Sequence, residues 1–362
     1  MNAFQGKTVV ITGHTGFKGS WLTIWLKLLG AKVVGISLDP VTSPSHFFTA
    51  NVGFGIADLR IDVRNQKELE QAIIDANPDF LFHLAAQALV SSAYSDPVET
   101  WQTNVMGTLN VLESLRRISN SCAVVMITSD KCYENVEWVW GYRETDRLGG
   151  IDPYSASKAA AELAINFQIK SFFSSDSSKV SIASARAGNV IGGGDWSENR
   201  IVPDCVRAWE KGESANLRNP KATRPWQHVL EPLGGYLALA VNLSQSKVLH
   251  GESFNFGPNL QQNHNVADLV DELGKNWPAA KWRAVDSNNE APYESGLLKL
   301  NCDKALHELQ WQAVLSFQET AALTADWYKK QQLSNINMRE ISESQISDYQ
   351  DKAKKLGLRW AQ

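Results

Sequence analysis

One stretch of the chain carries two side chains whose spacing suits acid–base chemistry. Tyr154 and Lys158 lie four residues apart, and an alanine-rich run, Ala159–Ala161, follows them. Residues four apart share one face of a helix, so the phenol and the ammonium should point into the same space. A nearby cation favours the phenolate and lowers the pKa of a tyrosine from about 10. The pair therefore predicts a base for a sugar or alcohol hydroxyl, although chance pairs with this spacing are common.

A second stretch supplies a hydroxyl and two ionisable groups. The apolar run 123–127 predicts a strand, and Ser129, Asp130 and Lys131 come shortly after it. The carboxyl ends of strands are where an open α/β sheet binds its ligands. A hydroxyl at this place, combined with the tyrosine–lysine pair, makes a serine–tyrosine–lysine set suited to hydride chemistry.

A glycine-rich turn near the N-terminus has the context of a dinucleotide site. The β-branched run 7–12 predicts a buried strand, and the apolar residues 20–26 predict a helix. Between them lies Gly13-His14-Thr15-Gly16-Phe17-Lys18-Gly19, with glycines at every third position. Glycines in this context let the backbone approach a pyrophosphate at the N-terminus of a helix.

The next predicted strand, 32–37, leads to Asp39. An acidic side chain about 20 residues past the glycine turn suits the ribose 2′-hydroxyl, which predicts NAD as the cofactor. Asp39 could instead be an ordinary turn residue before Pro40.

Together these pieces resemble the extended short-chain dehydrogenase/reductase superfamily, in its nucleotide-sugar-modifying branch. The resemblance covers nearly the whole chain and includes His83-Leu84-Ala85-Ala86-Gln87, Asn104 in Thr103–Thr108, and Arg186-Ala187-Gly188-Asn189-Val190. The Asp130-Lys131 pair after the serine is similar to the sugar 4,6-dehydratases, most of which carry Asp-Glu there. With the glycine turn upstream and Arg224-Pro225-Trp226-Gln227-His228-Val229 downstream, the Asp-Lys form implies CDP-glucose as the nucleotide sugar.

The resemblance and the alternation of strands and helices predict one architecture. We expect an α/β fold, a Rossmann-type doubly wound parallel sheet with a smaller, mixed α/β C-terminal substrate domain. The expected divisions are 1–187 with 228–258 for NAD, 188–227 with 259–334 for the substrate, and 335–362 as a C-terminal helical tail. A helix predicted from Pro97 to about Ile118 and the helix of Tyr154 form the pair that commonly packs across a two-fold axis in this superfamily, which implies a homodimer or a dimer of dimers.

The resemblance also implies a role for individual residues. The catalytic residues would be Ser129, Asp130, Lys131, Tyr154 and Lys158. The cofactor would be bound by Gly13, Thr15, Gly16, Phe17, Gly19, Asp39, Asp62, Val63, Leu84, Ala85, Ala86, Asn104, Tyr154 and Lys158. The substrate would be bound by Gln87, Asn189, Arg200, Arg218, Arg224 and Tyr293. Arg224 suits the diphosphate because a guanidinium fork matches phosphate oxygens, but either Arg224 or Arg218 could be a surface arginine paired to a carboxylate. We expect the run Ile191–Trp196 to form a flexible loop over the sugar.

A sugar 4,6-dehydration needs an acid and a second base besides the tyrosine. Asp130 would have to hold a proton in order to protonate the departing C6 hydroxyl. Lys131 would either be neutral and remove the C5 proton, or stay cationic and stabilise the enolate. Consecutive side chains in an extended segment point apart, so both residues reach one sugar only if the chain turns there.

Composition argues against several other classes of function. The 362 residues suffice for about two domains. A net charge of -4 without a basic tract argues against nucleic acid or an anionic membrane as the main partner. No apolar run reaches the roughly 18 residues of a membrane span, and the N-terminus lacks a signal-peptide core. The four cysteines lack metal-ligand spacing, so we expect no metal and a cytoplasmic protein with reduced thiols.

Two other functions remain open at this point. A nucleotide-sugar 4-epimerase would use Ser129, Tyr154, Lys158 and NAD, but would leave Asp130-Lys131 without a role. A scaffold that binds NAD without catalysis could dispense with the serine and the tyrosine–lysine pair. The intact set together with the acid–base pair favours the dehydratase.

Overall fold

The computed structural model describes residues 2–175, 177–259, 262, 264–278, 280–285 and 296–362. Its strands in chain order are β1 Thr8–Thr12, β2 Lys32–Ser37, β3 Ala57–Arg60, β4 Phe80–His83, β5 Cys122–Ile127, β6 Val180–Ala187, β7 Val190–Ile191, β8 Ala215–Leu217, β9 Thr223–Arg224, β10 Gln227–His228, β11 Ser253–Phe256, β12 His264–Asn265 and β13 Trp282–Ala284.

The α-helices are α1 Phe17–Leu28, α2 His46–Thr49, α3 Gln66–Ala76, α4 Val90–Ser95, α5 Pro97–Trp101, α6 Gly107–Leu115, α7 Pro153–Gln168, α8 Ile201–Glu210, α9 Leu230–Gln245, α10 Val266–Gly274, α11 Asp303–Leu309, α12 Phe317–Gln331 and α13 Met338–Lys355. Two π-helical turns, Gln102–Met106 and Ile169–Phe173, continue α5 and α7. Within the described ranges, no helix is long and apolar enough to cross a membrane.

Seven strands form one sheet in the order β11-β6-β5-β4-β1-β2-β3, and every pair in it is parallel. Alternate side chains of β1 enter different apolar clusters, Val9 and Ile11 one cluster and Val10 the other. Helices therefore bury both faces of the sheet, as its β-branched strands require. This architecture confirms the predicted doubly wound parallel sheet.

The strand order reverses between β1 and β4, because the chain adds β2 and β3 on one side of β1 and then returns to the other. Such a reversal opens a crevice at the carboxyl ends of the two strands, where ligands of this architecture bind. The glycine turn follows β1, and Leu84 follows β4 with its N–H bonded to the Thr12 carbonyl. The topology thus brings two of the predicted cofactor segments to one crevice.

Several local features follow directly from side chains at helix ends. The Asn65 side chain accepts a hydrogen bond from Glu68 N and begins α3, as the sequence predicts. Asp152 accepts a hydrogen bond from Ser155 N and begins α7, with Pro153 in the first turn.

The helix predicted from Pro97 to about Ile118 runs from Pro97 to Leu115, and it is α-helical except for one π-helical turn. A π-helical turn separates α5 from α6, and Asn104 lies in that turn. Gly107 begins α6 where a Cβ would lie 2.7 Å from Val63 Cγ2. The turn is a local expansion of the helix that places Asn104 and Gly107 against neighbouring segments.

Most of Ile191–Trp196 is a loop, as predicted, but the expected flexibility is wrong, since all six residues are buried. Trp21 donates its indole N–H to the Gly193 carbonyl at 2.9 Å. The Trp327 ring packs on Gly193, and the His46 side chain packs on Gly194. The glycines here admit large rings close to the backbone and do not provide flexibility.

Candidate active site

The segment after β5 turns tightly and places Ser129, Asp130 and Lys131 beside the start of α7. Asp130–Cys132 form a 3₁₀ turn, and the Ser129 hydroxyl caps it by accepting a hydrogen bond from Lys131 N at 3.2 Å. The chain therefore makes the turn that a shared role of Asp130 and Lys131 in one site requires. Asp130 is buried, whereas Lys131 is half-buried.

The Asp130 carboxylate is held from several directions. The Ser129 hydroxyl donates to Oδ1 at 3.0 Å, and the Asn189 amide donates to Oδ2 at 3.4 Å. Asn189 has a φ of 50°, and a Cβ added at the neighbouring Gly188 would overlap the carboxylate. The motif after β6 therefore forms one wall of the site around Asp130.

Tyr154 and Lys158 lie on one face of α7, and both are buried. Ser129 forms a side-chain hydrogen bond with Tyr154, so the predicted hydroxyl and phenol meet. The expectation that the pKa of Tyr154 is lowered is wrong for this structure. Burial raises that pKa, although the bond with Ser129 and the charge of Arg200 act to lower it. Burial also lowers the pKa of Lys158 to about 8.

Lys18 also belongs to the site, and it is a residue that the sequence motifs did not single out. Burial and the charge of Arg200 lower its pKa to about 8, and the charges of Asp130, Lys158 and Asp195 also act on it. The available signal was its position in the first turn of α1, directly after the glycine turn. Lys18, Lys158 and Arg200 therefore add positive charge to the site that already contains Asp130 and Lys131.

The glycine turn has the shape that a dinucleotide requires. Gly13 has a φ of 78°, and a Cβ on it would lie 2.7 Å from Ala85 N. A Cβ on Gly19 would overlap the Gly13 carbonyl. Gly16 begins α1, and in the described part of the chain no side chain caps this helix end. An uncapped helix N-terminus beside closely packed glycine backbone suits a pyrophosphate, so the residues fit NAD.

Side chains at the carboxyl end of β2 lie next to the glycine turn. The Thr15 hydroxyl lies 2.8 Å from Ser37 Oγ and donates to the Leu38 carbonyl at 2.9 Å. Asp39 is 85% exposed and accepts a hydrogen bond from Arg60 Nε at 2.8 Å. An exposed carboxylate at the end of β2 is accessible to a ribose hydroxyl.

The other predicted cofactor residues line the same crevice or support it. Asp62 is paired with Arg64, and burial alone would raise its pKa, but this arginine lowers it. The neighbouring Val63 packs on Gly107. Ala85, between Leu84 and Ala86 after β4, donates its N–H to Thr12 Oγ1 at 3.2 Å.

Asn104 joins three segments near the site. Its carbonyl oxygen accepts from Gln87 N at 2.9 Å, and its amide donates to the Gln87 carbonyl at 3.0 Å and to Ser157 Oγ at 2.9 Å. The Gln87 side chain itself is bonded to the backbone of Leu89. Asn104 therefore connects the end of β4 to the helix that carries Tyr154 and Lys158.

Of the arginines predicted to bind substrate, Arg200 lies near Tyr154, whereas Arg218 follows β8 and Arg224 lies on β9. Arg200 lies close enough to act on Tyr154 and Lys18, and it donates to the Ala88 carbonyl at 3.4 Å. Arg224 is buried and donates to the carbonyls of Thr223 and Gly296. Arg218 is exposed after β8, and its charge acts on Asp204. Tyr293 lies outside the described residues.

Two potential metal ligands or nucleophiles prove to be internal groups. His83 has both ring nitrogens within hydrogen-bond distance of threonines, Thr12 at 2.7 Å and Thr108 at 3.1 Å. Burial lowers its pKa to about 3. Cys132 is buried, and burial raises its pKa. Among the described residues, no group of three or more histidine, cysteine, aspartate or glutamate side chains could hold a metal ion.

Comparison with known proteins identifies close relatives. The family model described as GDP-mannose 4,6 dehydratase matches residues 10–324. CDP-glucose 4,6-dehydratase of Salmonella typhimurium is 44% identical over 352 residues, which cover 96% of this chain and 97% of that protein. dTDP-glucose 4,6-dehydratase of Xanthomonas campestris is 24% identical over 339 residues, 89% of this chain and 93% of that protein.

Solved structures share the fold at lower sequence identity. UDP-glucuronic acid 4-epimerase from Bacillus cereus, in complex with UDP-glucuronic acid and NAD, has a TM-score of 0.75 at 21% identity and covers 89% of this chain and 99% of its own. UDP-glucose 4-epimerase from Thermotoga maritima, solved with UDP-glucose, has a TM-score of 0.75 at 20% identity and covers 90% of this chain and 100% of its own.

Proposed function

Since this chain belongs to the GDP-mannose 4,6-dehydratase family, a nucleotide-sugar branch of the extended short-chain dehydrogenase/reductases, we propose that it converts CDP-D-glucose to CDP-4-dehydro-6-deoxy-D-glucose. It is a NAD-dependent lyase, and this reaction would serve deoxysugar synthesis of the O-antigen or lipopolysaccharide type. One observation carries the proposal. Ser129, Asp130 and Tyr154 meet in one buried site, in a chain 44% identical along nearly its whole length to a CDP-glucose 4,6-dehydratase.

The residues proposed to hold NAD lie around the crevice between β1 and β4. They are Gly13, Thr15, Gly16, Phe17, Gly19, Asp39, Asp62, Val63, Leu84, Ala85, Ala86, Asn104, Tyr154 and Lys158. NAD held by these residues would supply reversible hydride transfer, which the oxidation at C4 and the reduction at C6 both need.

Tyr154 would take the proton of the C4 hydroxyl while that carbon is oxidised to a ketone. Ser129 is bonded to Tyr154 and would orient the same hydroxyl. The ammonium of Lys158, four residues along the same helix face, would stabilise the phenolate. The resulting ketone makes the C5 proton acidic, because its removal gives an enolate.

Asp130 and Lys131 would then eliminate water across C5 and C6. Lys131 takes the C5 proton, the electron pair forms the C5–C6 double bond, and Asp130 protonates the C6 hydroxyl as it leaves. Lys131 would then return its proton to C5, and the proton taken by Tyr154 would have to reach Asp130 so that both groups are restored for the next turnover. Lys131→Met and Lys131→Arg separate the two roles of this lysine, because arginine retains the charge but cannot act as the base. Activity in the arginine variant alone would mean that the lysine stabilises the enolate as a cation.

The nucleotide would bind beside this centre through charged and polar groups. Arg224 would bind the diphosphate, supported by its buried position beside Gly296. The other substrate residues that we propose are Gln87, Asn189, Arg200, Arg218 and Tyr293. We propose that 188–227 and 259–334 form the substrate domain, that 1–187 and 228–258 form the NAD domain, and that 335–362 form a helical tail.

An exposed apolar face supports a homodimer. Helices α5 and α7 pack against each other. Their outer surface, with the π-helical turn between α5 and α6, exposes Val98, Trp101, Met106, Leu163 and Phe167. Apolar side chains gathered on one face are typical of a protein–protein interface, and we propose that a second copy covers them. The free cysteines support a cytoplasmic location.

A mass spectrum of the products tests the proposed reaction. The protein is incubated with NAD and CDP-glucose, in parallel with the UDP and dTDP analogues. We expect loss of one water from the CDP sugar and little or none from the other two. An unchanged mass with an altered sugar configuration would instead identify a 4-epimerase and leave Asp130 and Lys131 without the proposed role.

A further inference from the structure

A buried carboxylate lies one turn beyond the catalytic lysine on the same face of α7. Glu162 is eight residues after Tyr154 and four after Lys158, and its side chain is 3% exposed. Its two oxygens accept four hydrogen bonds, from Thr128 Oγ1, Ser184 Oγ at 2.9 Å, and Arg186 Nε and Nη2 at 3.0 Å and 2.8 Å. All the main acceptor positions of this carboxylate are therefore occupied.

The guanidinium of Arg186, which pairs with Glu162, also has all of its hydrogen-bonding positions occupied. Arg186, on β6, has five N–H donors and makes five hydrogen bonds. Two go to Glu162, and the others go to Tyr133 Oη at 2.8 Å, the Glu144 carbonyl at 3.0 Å and Ser253 Oγ at 3.1 Å. Tyr133 Oη in turn donates to Asn255 Oδ1 at 2.7 Å.

Two of these contacts lie immediately on either side of the acid–base segment. Thr128 directly precedes Ser129, and Tyr133 directly follows Cys132. The Glu162–Arg186 pair thus holds the entry of the segment through the threonine hydroxyl and its exit through the tyrosine hydroxyl. The same pair is fixed to the helix that carries Tyr154 and Lys158.

We propose that Glu162, Arg186, Thr128 and Tyr133 form a positioning network that sets the distance between the oxidising pair, Tyr154 and Lys158, and the eliminating groups on 129–131. A buried ion pair adds little net stability compared with apolar packing, because desolvation offsets the attraction. The complete set of directional bonds instead specifies one geometry for the groups attached to it. The expected effect on catalysis rests on the proposed dehydration. The expected effect on the position of 129–131 does not depend on it.

The variant Tyr133→Phe loosens one attachment and leaves the Glu162–Arg186 fork intact. Tyr142→Phe is the matched control, because the Tyr142 ring stacks on Tyr133 with centroids 5.2 Å apart. The hydroxyl of Tyr142 is bonded to Asn135 and Val136 and not to the network. Both variants therefore remove one hydroxyl from the same aromatic stack.

Hydrogen exchange of the free protein tests the positioning without reference to any reaction. We expect the backbone amides of 129–133 to exchange faster in Tyr133→Phe than in Tyr142→Phe, by about tenfold, the factor for losing one hydrogen bond to a charged group. Equal exchange in the two variants would overturn the network as a positioning device. Melting temperatures of both variants check that neither has lost the fold.

The catalytic consequence is a separation of the two halves of the reaction. In Tyr133→Phe we expect kcat for water loss to fall by about tenfold with KM unchanged. A 4-keto sugar that retains its C6 hydroxyl should accumulate, and it is recognised by the loss of two hydrogen atoms from the mass. Thr128→Val should show the same accumulation, and Thr128→Ser, which restores the hydroxyl, should reverse it. Equal loss of oxidation and elimination would contradict the inference, whereas inactive wild-type protein would contradict only the proposed function.

Discussion

Replacing Glu231 by glutamine tests how the C-terminal segment is attached to the sheet domain. Glu231 lies in the first turn of α9 and is buried. Its carboxylate accepts hydrogen bonds from the N–H groups of Val314 and Leu315, at 2.9 Å and 2.6 Å, and from the Tyr349 hydroxyl at 2.8 Å. One side chain thus joins α9 to the segment before α12 and to α13.

The pKa of Glu231 determines how much the free energy of unfolding should change with pH. Burial raises the pKa of Glu231 to about 7, although the bonds from Leu315, Val314 and Tyr349 and the charge of Lys352 act to lower it. A carboxyl with a higher pKa in the folded than in the unfolded state binds its proton more tightly when folded. Its stabilising contribution is complete below about pH 4.5 and is lost as the pH rises through 7. At about 1.4 kcal/mol per pH unit, the loss amounts to about 3 kcal/mol.

The assay is urea unfolding of the wild type and of Glu231→Gln from pH 4 to pH 8, followed by tryptophan fluorescence. Glutamine does not titrate, and the remaining groups are common to both proteins. The difference in free energy of unfolding, wild type minus variant, should therefore fall by about 3 kcal/mol over this range.

Glu319→Gln is the control with the opposite expected sign. Burial acts to raise the pKa of Glu319, but the bonds from Lys352 and Ser316 outweigh it and lower that pKa. The stabilising contribution of Glu319 is present at neutral pH and lost on acidification, so this difference should rise with pH. A difference for Glu231→Gln that stays constant or rises with pH would refute the reasoning.

Three further predictions concern the site and the proposed interface. Asp130→Asn should lower kcat for water loss by about 100-fold or more, measured by mass spectrometry, while calorimetry shows that CDP-glucose still binds. Because burial lowers the pKa of Lys158 to about 8, its ammonium is lost above that pH and kcat/KM should fall there. Lys158→Arg stays charged and should remove this fall from the pH profile. Leu163→Glu on α7 should halve the particle mass measured by light scattering, whereas Leu306→Glu, a similarly exposed residue on α11, should not change it.

Several elements could be predicted from the sequence because their signals are local. β2 has the predicted bounds, Lys32–Ser37, since its run of apolar residues has turn signals on both sides. The Asn65 cap and the Asp152-Pro153 start of α7 depend only on side chains within three residues of the helix end. The helical spacing likewise placed Tyr154 and Lys158 on one face.

Other predictions failed where distant residues decide the outcome. The glycines of 191–196 suggest flexibility in isolation, but Trp21, Trp327 and His46 arrive from three other elements and bury them. The Tyr154 pKa was expected to fall because of a nearby cation, whereas enclosure of the phenol by the folded chain raises it. Neither packing nor enclosure can be inferred from neighbours along the chain.

The sequence by itself determined the fold class, the glycine turn and the serine–tyrosine–lysine set, because periodicity and side-chain chemistry are properties of short segments. Only the tertiary structure decided that Lys18 joins the site and that Glu162 and Arg186 hold both ends of the acid–base segment. The bonded partners are distant along the chain: Ser184 is 22 residues from Glu162, and Tyr133 is 53 residues from Arg186. Directional bonds over such separations form only after the sheet has brought its carboxyl ends together.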